Sequence, residues 1–142
     1  MRFSPAWNPL LPGTGFTPLL MNYHTHIDLR SLRYHELDVE AFQKDPVAVR
    51  QKAIANLDRW TARGVWSDYY SQWEKILKAS SDTELIAIML EKSAQGDALR
   101  QTSPFVGNIT EEQRMAVLEQ YRRVWEGEIS YEEAKKLTAS ER

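Results

Sequence analysis

The sequence predicts an all-α fold, because helix start and stop signals recur between apolar runs and no segment alternates polar and apolar residues as a strand would. Apolar residues return every three or four positions along most of the chain, which is the spacing of one helical face. A length of 142 residues suits one domain with its own core. We therefore expect a compact single-domain bundle of about five to six helices.

An Asp-Pro pair separates the first two predicted helices. The first begins at about Asp28 or Ser31 and ends at Gln43. Asp45 can cap the second helix, a proline follows at its first position, and Gly64 should end it. The apolar stripes expected on these helices are Leu32, His35, Val39 and Phe42, then Val49, Ala53, Leu57 and Trp60.

Hydroxyl residues mark the starts of the later helices. Ser67 can cap a third helix, and three capping boxes follow, each a hydroxyl residue with Glu or Gln three positions later. The boxes are Ser81 with Glu84, Thr110 with Gln113, and Ser130 with Glu133. The residues expected to face inward are Tyr69, Tyr70, Trp73, Ile76 and Leu77, then Leu85, Ile88 and Met89, then Met115, Leu118, Tyr121 and Trp125, and finally Ala134 and Leu137.

Prolines distinguish the N-terminal residues from the rest of the chain. Four of the six prolines lie within the first twenty residues, where continuous helix is therefore not expected. We expect residues 1–22 to form an extended arm and residues 23–142 to form a single helical domain. Trp7 and Phe16 are candidate partner-binding residues, since an extended arm can wrap a partner and gain contact area.

Composition limits the classes of function. A net charge of −2 with 27% charged residues gives no electrostatic footprint for nucleic acid. The chain has no cysteine, which removes disulfides, zinc-thiolate sites and thiol nucleophiles. The longest apolar run, residues 85–90, is too short to span a membrane. We expect a cytoplasmic protein without a cofactor, a membrane segment or direct contact with nucleic acid.

All three histidines lie in "NYHTHIDLRSLRYHELD", residues 22–38. His24, His26 and Asp28 have side chains that suit zinc or nickel, so a small metal site is one interpretation. "HTHID" resembles the metal-binding opening of amidohydrolase-type barrels, but such barrels need roughly 200 residues or more, and further histidines that this chain lacks after His35. The structural interpretation is that both histidines are solvated or locally hydrogen-bonded and that Asp28 caps the helix.

"RSLRYH" places Arg30 and His35 at R-x4-H spacing, and the motif resembles that of the HEPN ribonucleases, which are small all-α proteins. The resemblance implies RNA cleavage, with His35 as general acid or base and Arg30 stabilising the phosphate. The competing interpretation is that His35 packs between Leu32 and Val39 and that Arg30 is a surface charge.

Aromatic residues are dense in "WTARGVWSDYYSQW", around the expected turn at Gly64. Trp60 and Trp73 belong to helical stripes and are expected in the core. Trp66 lies beside the turn, outside either stripe. Since Trp and Tyr dominate binding hot spots, Trp66 is the interface candidate of this stretch.

The stretch "LRQTSPFVGNITEEQR", residues 99–114, predicts a loop that leads into a capped helix. If exposed, Arg100, Gln101 and Phe105 would form a polar and aromatic docking point on this loop. The stretch is similar to an "LRQ-S-PF-G" segment of small bacterial helical proteins, which often resemble the companion, or antitoxin, half of two-gene modules. This resemblance implies a protein partner such as a toxin-like enzyme.

The sequence therefore favours a non-catalytic bacterial protein–protein interaction module of antitoxin-like type, which covers or positions its partner. A homo-oligomer is compatible with the same surface chemistry. The two alternatives are a HEPN-like ribonuclease and a small metal-binding protein. Neither alternative has a second motif elsewhere in the chain.

Overall fold

The computed structural model describes residues 22–139, which contain seven α-helices and no strand. The all-α class is thus confirmed, with seven helices where five to six were expected. Trp7 and Phe16 lie outside the described residues. Among the described helices, none has the length and hydropathy needed to cross a membrane. The helices are α1 (Tyr23–Lys44), α2 (Pro46–Ala62), α3 (Asp68–Ala79), α4 (Asp82–Met89), α5 (Ala94–Gln101), α6 (Glu111–Trp125) and α7 (Tyr131–Leu137).

Helix α1 begins at Tyr23, earlier than the sequence analysis placed it. The side chain of Asn22 caps the helix by accepting a hydrogen bond of 2.8 Å from the backbone N–H of Thr25. The expectation that Asp28 caps the helix is wrong, because Asp28 lies in its second turn. All three histidines are consequently on one continuous helix.

The predicted start and end of α2 and the predicted start of α3 are confirmed. The Asp45 carboxylate accepts from the backbone N–H of Ala48, and a proline occupies the first helical position. Helix α2 ends just before Gly64, whose φ of +86° is a conformation that favours glycine. The Ser67 hydroxyl then accepts from the backbone N–H of Tyr69 at the start of α3.

The segment after Ser81 forms two helices where one was predicted. The box of Ser81 and Glu84 opens α4, which stops after Met89. Ser93 then caps α5 by accepting from the backbone N–H of Gly96. This second start was missed because Ser93 has glycine, rather than Glu or Gln, three positions later and no apolar run follows it.

Hydroxyl caps also open the last two helices as predicted. Thr110 and Gln113 form a complete capping box at α6. At α7 the Ser130 hydroxyl accepts from the backbone N–H of Glu133. These caps satisfy N–H groups that a helix leaves without internal partners.

Helix α1 is central, because it contacts α2, α4 and α5 on one side and α6 on another. The smaller core cluster, formed by α1, α6 and α7, contains Leu37, Val117, Tyr121 and Ala134. The larger cluster, formed by α1 to α5 and the loop after α5, contains Val39, Phe42, Val49, Ala53, Leu57, Trp73, Leu77, Leu85, Met89, Leu99 and Phe105.

Three residues expected in the core lie on the surface. Met115 and Trp125 on α6 are 50% and 43% exposed, and Leu137 on α7 is 50% exposed. Among the described helices, α6 packs mainly against α1 and α7, so it buries one narrow face that carries Val117 and Tyr121. Apolar spacing alone did not indicate which face this would be.

Gly96→Ala is expected to destabilise the protein by about 2 kcal/mol or more. A Cβ at this position would clash with the carbonyl oxygen of Glu91. That oxygen accepts a 2.7 Å hydrogen bond from Arg100, so it cannot move away without weakening the bond. The control Gln95→Ala, at the exposed neighbouring position, should change the free energy of unfolding by less than about 0.5 kcal/mol. Equal effects of both variants in urea unfolding would contradict this close contact.

Candidate functional site

The imidazole of His35 is buried where α1, α3, α4 and the loop after α5 meet. Its Nδ1 lies 2.8 Å from the backbone oxygen of Met89, and its Nε2 lies 2.7 Å from Oγ of Ser103. The ring also has edge contacts with the rings of Trp73 and Phe105. Both ring nitrogens are therefore used inside the protein.

These contacts define the protonation state of His35. A carbonyl oxygen only accepts, so Nδ1 must carry the proton that is donated to Met89. Nε2 then accepts from the Ser103 hydroxyl, whose oxygen in turn accepts from the backbone N–H of Phe105 at 3.2 Å. Burial lowers the pKa of His35 to about 4, in agreement with a neutral ring.

Arg30 and His35 lie on different faces of α1. Five positions along a helix rotate a side chain by about 140°, so the two residues point in different directions. The charge of Arg30 acts instead on His26, whose pKa is lowered to about 4 chiefly by burial and secondarily by Arg30. The R-x4-H spacing thus places a structural histidine and a separate arginine on α1.

The structure does not bring His24, His26 and Asp28 together. Residues two positions apart on a helix lie about 200° apart, which directs His24 and His26 to opposite sides. His24 is exposed, whereas His26 is buried with Nδ1 2.7 Å from the hydroxyl of Tyr131. Within residues 22–139, no three His, Asp or Glu side chains are placed to hold a metal ion.

The expected docking point after α5 is largely buried. Arg100 is 5% exposed, and it donates to the backbone oxygens of Met89 and Glu91 at the end of α4 and to the carboxylate of Asp97. Its guanidinium thereby satisfies carbonyls that a helix end leaves without partners. The expectation that Arg100 is exposed is therefore wrong.

Phe105 is also buried, at 2% exposure, with its ring 5.3 Å from that of Trp73. The loop is drawn inward because Asn56 on α2 donates to the backbone oxygen of Pro104 at 2.8 Å. Gln101 is exposed, as expected, and donates to Asp28 at 3.3 Å. The structure does not bring Arg100, Gln101 and Phe105 together as a surface.

Asp38 is a buried titratable residue that sequence reasoning did not single out. Its side chain is 5% exposed, and Oδ1 has no hydrogen-bond partner. Burial raises the pKa of Asp38 to about 8, so the carboxyl is largely protonated at neutral pH. In the sequence, Asp38 is spaced four positions from Tyr34 and from Phe42, and this spacing did not indicate that its carboxyl would be buried.

Trp66, the interface candidate of the sequence analysis, lies at the corner between α2 and α3 and is 62% exposed. The neighbouring Val65 is 49% exposed. A groove of about 350 Å³ lies beside the indole. The residues that line this groove, which we name the corner groove, are Leu57, Asp58, Thr61, Ala62, Trp66, Tyr70, Ser71 and Glu74.

The corner groove combines an apolar floor with acidic walls. Leu57 belongs to the buried core, and the ring of Tyr70 is supported by that of Trp60 at 5.6 Å. Asp58 on α2 and Glu74 on α3 supply carboxylates to the lining, and Lys78 pairs with Glu74 at 2.9 Å. Such a groove can take an apolar side chain and attract a cation.

Sequence reasoning found Trp66 but missed the acidic residues of the groove. The only available signal was the spacing of Asp58 with Ala62 on α2 and of Tyr70 with Glu74 on α3, which places each pair on one helical face. No protein-family model, curated protein or solved structure matches this chain. Its function must therefore be inferred from its own residues.

Acidification is expected to destabilise the protein through His35. The folded pKa of about 4 lies below the ordinary 6.5, so the unfolded chain takes up the proton first. The contribution of His35 is complete above pH 6.5 and is lost as pH falls toward 4, by about 3 kcal/mol. His26, whose pKa is also lowered to about 4, adds its own loss, so the share of His35 is the difference between wild type and His35→Gln in urea unfolding across these pH values. His35→Gln should reduce the loss of stability at acid pH, whereas the exposed control His24→Gln should retain it. An unchanged loss in His35→Gln would contradict the assignment of a buried, neutral ring to His35.

Asp38 is expected to act in the opposite direction. Its folded pKa of about 8 lies above the ordinary 3.8, so its contribution to stability is present at low pH and is lost as pH rises. Asp38→Asn removes this loss. Relative to wild type, the variant should gain about 2 kcal/mol or more between pH 4 and pH 8 in urea unfolding. The control Asp58→Asn, at an exposed carboxyl, should keep the wild-type pH dependence of stability. If Asp38→Asn gained no more stability than this control between pH 4 and pH 8, the burial of a neutral carboxyl at Asp38 would be contradicted.

Proposed function

We propose that this chain is a protein-binding module that contacts its partner through the corner groove. The observation that carries the proposal is the position of Trp66, an indole that is 62% exposed beside a formed groove. Exposed tryptophans next to a pocket are typical anchors of protein interfaces, because they bury a large apolar area on binding.

The corner groove has a rigid base, which favours binding. Leu57 is 4% exposed and joins the floor of the groove to the main core. The link between α2 and α3 is short, from residue 63 to residue 67, and Gly64 provides the positive φ that the turn requires. A partner that binds here would therefore meet a surface that needs little reordering.

The charges of the groove indicate the chemistry of the partner. Asp58 and Glu74 contribute two carboxylates, whereas Lys78 supplies one ammonium group near them. The lining itself holds two carboxylates and no lysine or arginine, which suits a segment with an apolar side chain next to lysine or arginine. We assign such a basic, amphipathic protein segment as the occupant.

The interaction proposal is favoured over the ribonuclease alternative by the state of His35. A general acid or base must reach the proton that it transfers, within hydrogen-bond distance of the substrate. The ring of His35 is 2% exposed and its two nitrogens contact Met89 and Ser103. RNA cleavage by this residue would require the joint between α1, α4 and the following loop to open.

The antitoxin-like companion of a two-gene module remains our proposal for the class of protein. It rests on the resemblance of residues 99–107, "LRQTSPFVG", and on the general suitability of the corner groove for a protein partner. In that class the occupant of the groove would belong to a toxin-like enzyme in the bacterial cytoplasm. The product of the adjacent gene is the first protein to test.

Trp66→Ser is expected to weaken partner binding at least tenfold, because it removes the anchor of the interface. The partner is first recovered at native expression level, identified by mass spectrometry, and then purified for titration against each variant. Asp58→Lys with Glu74→Lys should also weaken binding, since a basic segment would meet added positive charge. Trp125→Ser, at an indole that is 43% exposed on α6, is the matched control and should bind normally.

The same binding titration can also contradict the proposal. Unchanged affinity of Trp66→Ser would exclude the corner groove as the interface. Tighter binding by the charge-reversed variant would exclude a basic segment as the occupant. A partner encoded elsewhere in the genome, with both variants weakened, would retain the binding module and remove the companion class.

A further inference from the structure

A second exposed aromatic surface lies where α1 begins and α6 ends. The rings of Tyr23 and Trp125 meet edge to face, with their centroids 5.2 Å apart, and the two residues are 54% and 43% exposed. We name this pair the Tyr23–Trp125 surface. It lies on different helices from the corner groove and is independent of the proposed function.

Buried groups hold the Tyr23–Trp125 surface in place. His26 lies beneath it, 2% exposed, with its ring 5.1 Å from that of Trp125. Nδ1 of His26 is 2.7 Å from the hydroxyl of Tyr131, which connects the start of α7 to the same cluster. The surface is consequently a fixed aromatic platform.

The chain itself leads directly to this platform. Asn22, the N-cap of α1, precedes Tyr23 by one residue, and residues 1–21 precede Asn22. This preceding segment contains one charged side chain, that of Arg2, and it is rich in large apolar residues. Those residues are Met1, Phe3, Trp7, Leu10, Leu11, Phe16, Leu19, Leu20 and Met21.

We propose that the segment "FTPLL", residues 16–20 of the same chain, docks on the Tyr23–Trp125 surface. An extended chain covers about 3.3 Å per residue, so Phe16 can reach about 23 Å from Tyr23, far more than the separation of the two rings. A tether this short also gives the segment an effective concentration on the order of millimolar, which favours it over a separate molecule.

The absence of cysteine from the sequence permits a direct test on the full chain. Thr17→Cys provides a single site for a nitroxide spin label, which broadens nearby NMR signals. The indole N–H signal of Trp125 and the amide signal of Tyr23 should be strongly broadened. The amide signal of Lys44, about 30 Å away along α1, should keep most of its intensity.

Variants and a mixing experiment complete the test. Phe16→Ser with Leu20→Ser, in the labelled chain, should restore the Trp125 signal while leaving the spectrum of the helices unchanged. Undiminished Trp125 intensity in the labelled parent chain would overturn the proposal. Broadening that requires mixing spin-labelled chains with separate isotope-labelled chains would also overturn it, because a second copy would then be the occupant.

Discussion

The buried, neutral ring of His35 is the contact on which the arrangement of the helices depends. It joins α1 to the last carbonyl of α4 and to the loop after α5 through Met89 and Ser103. Arg100 donates to the same Met89 oxygen, and the indole of Trp73 donates to the backbone oxygen of Leu99. Four helices thus meet through hydrogen bonds that water cannot replace in the interior, where an unmade bond is costly.

Local chemistry made most of the fold predictable from the sequence. The caps at Asp45, Ser67, Ser81 and Thr110 mark helix starts because a side-chain oxygen there satisfies backbone N–H groups, whatever the tertiary structure. The sequence could not indicate that Ser93 starts a separate helix, since no capping box or apolar run accompanies it. Boundaries were thus more predictable than the choice of buried face, which depends on the neighbours of each helix.

The candidate site was less predictable, because a short motif specifies residue types and not their burial. Arg30 and His35, or Arg100 and Phe105, have side chains that suit catalysis or recognition when exposed. In this fold His35, Arg100 and Phe105 are instead used to join helices. Trp66 was identifiable since it lies beside a glycine turn, outside both helical stripes, whereas the carboxylates around it come from two helices whose packing the sequence does not specify.

The neutral structural role of His35 is tested most directly by the nitrogen-15 chemical shifts of its ring, followed from pH 8 to pH 4. A protonated Nδ1 and an unprotonated Nε2 that persist until the pH approaches the pKa of about 4 are the predicted result. Titration near the ordinary value of 6.5, or a proton on Nε2 at neutral pH, would contradict it. In that case the observation that favours the binding module over the ribonuclease alternative would be lost.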